Sequence, residues 1–224
     1  MTTPTDATLE ELLDRSRTLA GSGVRRILGI AGPPGAGKSY LAEELAAALG
    51  PDSAVVVPMD GFHLAQEVLE TLGRAGRKGA ADTFDGEGYV ALLRRLRHQV
   101  APRTTTDAAL DGVVLAPRFH RDLEEPVGSA IAVRPDVPLV ITEGNYLLRP
   151  QAPWIDARGL LDEVWFLAPP QDLRQERLVA RHVSFGRSRE AATEHALGSD
   201  EVNAREIAAT AQLADLVLRL VESP

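Results

Sequence analysis

The sequence predicts an α/β fold in three layers, in which helices cover both faces of a five-stranded, mainly parallel sheet. Short apolar runs have the length and continuity of strands buried on both faces. Segments with leucines at helical spacing separate these runs, and such alternation is typical of a parallel sheet. Hydrophobic residues make up 44 % of the chain and charged residues 25 %, as in ordinary globular proteins. The five predicted strands are residues 26–31, 54–58, 137–141, 164–167 and 216–220.

The predicted helices follow from leucine spacing and from capping signals. Thr8 and Glu11 form a capping-box pattern at the start of an N-terminal helix within residues 1–22. Residues 73–85 are predicted to form a loop, and residues 101–134 a mixed region with a hairpin near 113–115 and 130–133. Further helices are predicted at residues 38–49, 63–72, 89–100, 171–183, 190–197 and 202–212.

Length, charge and composition exclude several kinds of protein. The 224 residues suit a single domain over 1–224, because they are few for two cores. The net charge of −8 argues against a broad surface for nucleic acid or anionic lipid. There is no cysteine, so disulfides, thiol nucleophiles and Cys-ligated zinc are excluded. With no secretory signal pattern and no apolar run that could span a bilayer, we expect a cytoplasmic protein without membrane partners.

A glycine-rich loop directly follows the first predicted strand. Residues 32–39 fit G-x-x-x-x-G-K-[ST] at every fixed position and lie between a strand and a helix. In such a P-loop, backbone N–H groups hold phosphates, the lysine reaches the β- and γ-phosphates, and the hydroxyl ligates magnesium. The chain carries no Asn-Lys-x-Asp element of GTP-specific proteins, so the expected cofactors are ATP and Mg²⁺. The predicted nucleotide site of this P-loop NTPase fold comprises Gly32, Pro33, Pro34, Gly35, Ala36, Gly37, Lys38, Ser39 and Tyr40.

Two carboxylates follow other predicted strands, and strand ends of a parallel sheet converge on one crevice. Asp60 follows the second strand, where a carboxylate can orient a hydroxyl and take its proton, although Asp-Gly is also a common turn dipeptide. Glu143 follows the third strand, where it is predicted to hold Mg²⁺ together with Ser39. His63, His120 and His182 do not pair at ligand spacing, so no metal centre other than magnesium is expected.

Arginines follow the fourth predicted strand. Arg177 and Arg181 are four residues apart and therefore share one helix face, next to Arg174. Such a face can close over a triphosphate as a helical lid within residues 171–200, or it can be a solvated face paired with Asp172 and Glu176. Lys38, Arg177 and Arg181 are the predicted catalytic cations beside Asp60.

The chain resembles the uridine kinase, pantothenate kinase and phosphoribulokinase group of P-loop kinases, and especially its bacterial fructose transport system kinase-like branch. The resemblance rests on the P-loop and on the segments at residues 59–64, 78–85, 117–122, 143–146 and 177–188. It implies transfer of the γ-phosphoryl of ATP to a hydroxyl of a small molecule, with Asp60 as catalytic base and residues 73–134 as an acceptor-side insertion. It also implies an acceptor site drawn from His63, Lys78, Phe119, His120, Arg121, Asn145 and Tyr146.

The resemblance has departures, and two alternatives stay open. Uridine kinases typically carry Asp-Asp-Phe-Tyr where this chain has Met-Asp-Gly-Phe at residues 59–62, which argues against uridine as acceptor. A slow ATPase that acts as a switch with a protein partner would use the same loop. A nucleoside monophosphate kinase would need arginines for a second phosphate. The arginines available for this second phosphate are Arg74, Arg77, Arg118 and Arg121.

Relatives in this group are often dimers, so a homodimer is expected.

Overall fold

A six-stranded sheet, in which every pair of neighbouring strands is parallel, forms the centre of the computed structural model. The model describes residues 3–100, 112–186 and 188–222, so residues 101–111 of the predicted mixed region lie outside the described residues. The strand order is β1-β8-β7-β2-β6-β3. These strands are β1 (Thr5–Ala7), β2 (Arg26–Ala31), β3 (Ala54–Val56), β6 (Leu139–Gly144), β7 (Glu163–Leu167) and β8 (Leu216–Leu220).

The sheet has one strand more than the five predicted. β1 lies within residues 1–22, where only a helix was expected, and pairs with β8 from Thr5↔Leu218 to Ala7↔Leu220. Arg219 of β8 donates from Nη2 to Asp6 at 2.9 Å. β1 was not predicted because Thr-Asp-Ala is short and polar and carries no apolar run.

Helices cover both faces of the sheet, which confirms the predicted three-layer α/β/α class. The helices are α1 (Leu9–Ala20), α2 (Lys38–Leu49), α3 (Gln66–Thr71), α4 (Gly86–Arg97), α5 (Trp154–Arg158), α6 (Gln171–Ser184), α7 (Arg189–Leu197) and α8 (Ser199–Ala208). Leu28 and Ile30 of β2 point towards α1 and α2, whereas Ile27 packs on the opposite face with α4 and α5.

The observed helices agree with the prediction at the capping box of α1 and differ from it at the ends of α4 and α8. The predicted capping box of Thr8 and Glu11 is present at α1. α4 begins three residues before the predicted 89–100 because the Asp85 carboxylate accepts from the Gly88 N–H at 2.8 Å. α8 ends at Ala208 rather than 212, and a 3₁₀ turn follows it. Among the helices in the described part of the chain, none has the length and apolar character needed to cross a membrane.

An antiparallel hairpin packs beside the carboxyl ends of the sheet strands. It consists of β4 (Val114–His120) and β5 (Glu125–Val133), and it confirms and extends the predicted hairpin. It contacts the 3₁₀ turn Met59–Phe62 that follows β3. A Cβ on Gly61 would lie 2.4 Å from the Pro117 carbonyl oxygen, so only glycine lets the turn approach the hairpin this closely.

The opposite, amino-terminal edge of the sheet is held by carboxylates with several donors each. Asp162, just before β7, accepts from the Ile27 N–H at 2.8 Å and from Arg26 at 2.8 Å. Arg97, at the end of α4, donates to the same carboxylate at 3.0 Å. This single side chain therefore joins β2, β7 and α4.

Candidate active site

The P-loop forms a turn between β2 and α2, and two of its glycines are required by close contacts. Gly32 has φ +149°, and a Cβ there would lie 2.8 Å from the Leu167 carbonyl oxygen of the neighbouring strand. Gly35 has φ +80°, and its Cβ would lie 2.6 Å from the Arg174 carbonyl oxygen. Both positions therefore exclude larger residues. The loop ends at the N-terminus of α2, whose free N–H groups suit an anion.

Lys38 is buried at the centre of the site. Its Nζ donates to Asn145 Oδ1 at 2.7 Å and to the Pro33 carbonyl oxygen at 3.2 Å. Burial lowers the pKa of Lys38, although the nearby carboxylates of Glu143 and Asp60 oppose this effect. The ammonium group is thus held in place by neutral oxygens while two carboxylates lie close to it.

Glu143 is 4 % exposed and lies one residue before the end of β6. Its Oε1 accepts from Ser39 Oγ at 3.1 Å, which brings together the two predicted magnesium ligands. Burial, followed by the charge of Asp60, raises the pKa of Glu143 to about 7, against the effects of Lys38, Ser39 and Arg121. Both groups offer oxygen atoms, the donor type that Mg²⁺ prefers.

Asp60 lies in the 3₁₀ turn after β3, and its side chain is 26 % exposed. Arg121 of the hairpin approaches its carboxylate, with Nη2 3.3 Å from Oδ2. His63 Nδ1 donates to the Asp60 carbonyl oxygen at 2.7 Å and closes the turn. The Asp60 carboxylate is therefore partly accessible and has one cationic partner.

Aromatic and cationic side chains surround Asp60 on the hairpin side. The Arg121 guanidinium lies 5.8 Å from the ring centre of Phe119 and 5.7 Å from that of Phe185, which follows α6. Lys78 Nζ lies 5.5 Å from the Phe119 ring, and the His63 ring 4.7 Å from it. Four of the seven predicted acceptor residues thus form one cluster around Phe119.

A cavity of about 570 Å³ opens between α2, β3 and the hairpin. Asp60, Ser39 and Glu143 line it, and Phe119 and Arg121 line it from the hairpin. The apolar part of its wall was not predicted, because small residues of α2 carry no chemical signal in sequence. This part of the wall is formed by Ala46, Ala47, Pro51, Ala54, Val55, Val56, Pro58 and Ile131.

Five predicted acceptor residues lie outside the lining of this cavity, although two of them, His63 and Lys78, pack on Phe119, which does line it. Asn145 contacts Lys38 instead. Tyr146 is 1 % exposed, and its hydroxyl donates to the Gly79 carbonyl oxygen at 2.7 Å, so it anchors the loop at residues 73–85. His120 is 40 % exposed, with Nδ1 4.0 Å from the Asp122 carboxylate.

The three arginines of α6 occupy different environments. Arg177 is exposed near the P-loop, and a Cβ on Gly37 would lie 3.6 Å from its Nη1. Arg181 also reaches the surface, but desolvation lowers its pKa, and the charge of Arg121 adds to this effect. The carboxylates of Asp60, Asp200 and Glu143 oppose it. Arg174 is buried, forms an ion pair with Glu201 of α8, and donates to the Pro34 carbonyl oxygen at 3.3 Å. Sequence spacing alone could not distinguish the buried ion pair of Arg174 from the exposed positions of Arg177 and Arg181.

A buried hydrogen-bond chain beneath the site was also missed. The Tyr89 hydroxyl of α4 lies 2.7 Å from Thr142 Oγ1, which donates to the Val57 carbonyl oxygen at 2.7 Å. Burial raises the pKa of Tyr89. The chain links α4, β6 and the end of β3, and it thereby supports the segments that carry Glu143 and Asp60.

Comparison with known proteins identifies the family, although no protein-family model matches the chain. An ATP-dependent kinase-like protein of Aspergillus versicolor is 37 % identical over 155 residues, covering 66 % of this chain and 86 % of the relative. A protein assigned as a uridine kinase in Schizosaccharomyces pombe is 31 % identical over 226 residues, covering 96 % and 92 %. The chain belongs to the uridine-kinase-like family of P-loop, ATP-dependent kinases.

A solved structure agrees with this family. The crystal structure of a protein assigned as a fructose transport system kinase, from Silicibacter sp. TM1040, has a TM-score of 0.80 and 36 % identity. The match covers 94 % of this chain and 98 % of that one. The resemblance predicted from the motifs and the P-loop kinase fold are confirmed.

Proposed function

We propose that this kinase transfers the γ-phosphoryl group of Mg-ATP to a hydroxyl of a small molecule bound in the cavity between α2, β3 and the hairpin. The observation that carries the proposal is that Asp60, Ser39 and Glu143 line the same cavity, with Ser39 and Glu143 in hydrogen-bond contact. A carboxylate suited to accept a hydroxyl proton therefore adjoins the P-loop. The remaining volume is large enough for a sugar, a nucleoside or a pantothenate-like alcohol.

The nucleotide phosphates would bind at the P-loop, with Mg²⁺ held by Ser39 and Glu143, directly or through water. When bound, the ion neutralises charge on the β- and γ-phosphates. The Ser39–Glu143 hydrogen bond brings the two donors close enough to serve one ion. Lys38 would exchange its contact with Asn145 for phosphate oxygens, and its burial strengthens that interaction.

Asp60 would orient the acceptor hydroxyl and take its proton as the phosphoryl group moves. General-base assistance of this kind contributes about 10² to 10⁴-fold in rate. Arg121 holds the carboxylate from the hairpin side, so the turn and the hairpin set its direction together. Arg177 and Arg181 would stabilise the charge that develops on the transferred group, from the helical lid formed by residues 171–200.

The acceptor would lie between the apolar wall of α2 and β3 and the polar face of the hairpin. Phe119 offers a ring face and Arg121 a hydrogen-bond donor on that side. Lys78 and His63 pack on Phe119 and would fix its position or reach the acceptor directly. His120 would contact the acceptor at the rim, whereas Asn145 and Tyr146 would support Lys38 and the loop at residues 73–85.

The test is a coupled ADP-release assay with Mg-ATP and a panel of ketohexoses, other sugars, sugar acids, nucleosides, pantothenate and nucleoside monophosphates. A strong rise with one class, with the phosphorylated product identified by mass spectrometry, supports the proposal. A uniformly slow rate that a protein partner stimulates would instead favour the ATPase switch.

A cavity variant locates the acceptor. Ala47 lines the cavity, while the neighbouring Ala48 is exposed and does not line it. Ala47→Leu is expected to raise the acceptor KM about tenfold, roughly 1.4 kcal/mol of lost binding, with little change in the ATP KM. Ala48→Leu is the matched control, and equal effects of both substitutions would place the acceptor elsewhere.

A phosphorylated acceptor is a second candidate because Arg118 and Arg121 both line the cavity. Arg74 and Arg77 are instead paired with Asp82, at 3.5 and 2.7 Å. The nucleoside monophosphates of the panel test this candidate. Arg118→Gln should then raise the KM for the phosphorylated acceptor and leave that for an uncharged one unchanged.

A further inference from the structure

Two histidines and an aspartate from three different helices meet on the side of α6 towards α7 and α8. The His182 Nε2 atom of α6 lies 2.8 Å from Asp200 Oδ2, which belongs to the first turn of α8. The ring centres of His182 and His195, the latter from α7, lie 4.8 Å apart. One potential ligand atom from each of the three residues lies within 4.8 Å of the others, and all three side chains are half-buried.

The cluster brings three potential metal ligands together, whereas an ordinary ion pair involves only two side chains. Imidazole nitrogen and carboxylate oxygen are ligands that zinc-like divalent ions share, and zinc binds them at about 2.0–2.2 Å. Tetrahedral ligands at that distance lie about 3.3 Å from one another. The His182–Asp200 separation is already shorter than this, and since all three ligand atoms lie within 4.8 Å of one another, binding would require the widest pair to approach by about 1.5 Å at most.

We propose that His182, His195 and Asp200 bind a divalent transition-metal ion of the zinc type, with a fourth position for water. This proposal departs from the expectation of no metal centre other than magnesium, which rested on the lack of ligand spacing among the histidines considered and on the absence of cysteine. The site is separate from the oxygen donors Ser39 and Glu143, and its imidazole ligands are unsuited to Mg²⁺.

The surroundings of the cluster favour a structural role for this ion. Glu201, the residue after Asp200, forms the buried ion pair with Arg174 of α6 and so already fixes α8 against α6. A metal at the cluster would add α7 to this unit. The same α6 carries Arg177 and Arg181, so the ion would hold in place the helix whose arginines face the P-loop side.

The test uses Co²⁺ and Zn²⁺ alone with the metal-depleted full chain. The Glu143→Gln variant serves as background, so that uptake at the P-loop is not counted. We expect one equivalent of Co²⁺ to give the visible absorption of a four-coordinate nitrogen and oxygen site, and Zn²⁺ to displace it. In the same background, His195→Gln and Asp200→Asn should each weaken Co²⁺ binding by more than tenfold.

His98→Gln is the matched control, because His98 is exposed and its ring contacts the Arg94 carbonyl oxygen of its own helix. It should leave Co²⁺ affinity unchanged. A second readout is the Tm, which Zn²⁺ should raise by several degrees in the background protein and in His98→Gln but not in Asp200→Asn. Asp200→Asn keeps the shape of the side chain, so it decides the question if His195→Gln does not fold.

Two results would overturn the proposal. One is a chain that takes up no Co²⁺ in the Glu143→Gln background. The other is uptake that stays equally tight in His195→Gln and Asp200→Asn, because the ion would then be held by other residues.

Discussion

The two edges of the central sheet use carboxylates in opposite ways. At the amino-terminal edge, Asp162 accepts from a strand N–H and from two arginines. Asp215, before β8, accepts from the Val164 N–H at 2.7 Å and from Arg158 at 2.9 Å. At the carboxyl-terminal edge, Asp60 has one arginine partner, and Glu143 is buried beside a hydroxyl.

The pKa shifts reflect this difference. Burial raises the pKa of Asp162, but the hydrogen bonds from Arg97, Ile27 and Arg26 outweigh it and leave the pKa below its usual value of 3.8. For Glu143, burial and the charge of Asp60 prevail and raise the pKa to about 7. One edge pairs its carboxylates with arginines and stabilises the fold, whereas burial at the other edge disfavours the charged form of Glu143.

The largest expected effect is at the carboxyl-terminal edge. Arg181→Met should lower kcat about 10³-fold, because an arginine on the transferring phosphoryl group contributes at least that much. Acceptor-dependent ADP release at saturating ATP measures it. Arg189→Met, on the exposed start of α7, is the control and should retain full turnover. A less than threefold change in Arg181→Met would remove Arg181 from the proposed machinery.

The next largest effect is expected at the amino-terminal edge, where a substitution should change stability and leave turnover unchanged. Asp162→Asn should lower the free energy of unfolding by about 1–3 kcal/mol, because an amide cannot accept from all of the donors that meet there. Urea denaturation measures this loss, and kcat of the folded variant should stay unchanged. Asp136→Asn, in an exposed pair with Arg134, should change stability by about 0–1 kcal/mol. Similar losses in both variants would contradict the special role of Asp162.

The pH dependence of stability should differ in sign between the two edges in the metal-free and nucleotide-free protein. Native Glu143 keeps its proton up to about pH 7, whereas the unfolded chain releases it near 4.5. The unfolded state then binds fewer protons, so Glu143 lowers stability as pH rises through this window. Asp162 has a lowered pKa, so its contribution is present above about pH 3.8 and is lost as pH falls below it.

Urea unfolding of two variants at a series of pH values checks both signs. Glu143→Gln should remove the decline towards neutral pH, and Asp162→Asn should flatten the acid limb. Profiles parallel to that of the wild type in both variants would show that neither carboxyl differs in pKa between the folded and unfolded states.

The smallest predicted effect is at the buried chain below the site. Tyr89→Phe should cost about 1 kcal/mol, because Thr142 loses one hydrogen-bond partner while it keeps the Val57 carbonyl. Thermal or urea unfolding measures this cost. Tyr40→Phe, with Tyr40 56 % exposed, is the control and should have almost no effect. Equal stability of Tyr89→Phe and wild type would show that the chain does not support the strand ends.

The parts of the fold predicted from sequence are those with strong local signals. The P-loop has a fixed motif, the central strands are continuous apolar runs, and Thr8 with Glu11 forms a recognisable cap. β1 was missed because its three polar residues pair only through the distant β8. Local patterns carry no information about such a pairing.

The site residues placed next to predicted strand ends could be identified from sequence. The residues whose role depends on long-range contacts were missed. Both carboxylates, Asp60 and Glu143, were predicted to follow strands, and although β6 extends to Gly144 and so includes Glu143, both lie at carboxyl ends of the sheet, as their inferred convergence on one crevice requires. The buried role of Arg174 depends on Glu201, and the cavity wall depends on how α2 faces β3. The His182, His195 and Asp200 cluster likewise exists only once three helices are packed together.

The most direct test of the central claim compares Asp60→Asn with the wild type in single-turnover phosphoryl transfer, using the acceptor found in the panel. We expect the transfer rate to fall about 10² to 10⁴-fold while ATP affinity stays within a few-fold. Asp122→Asn, on the same hairpin side and exposed, should transfer at the wild-type rate. Undiminished transfer by Asp60→Asn would contradict the claim that the carboxyl-terminal edge supplies the catalytic base.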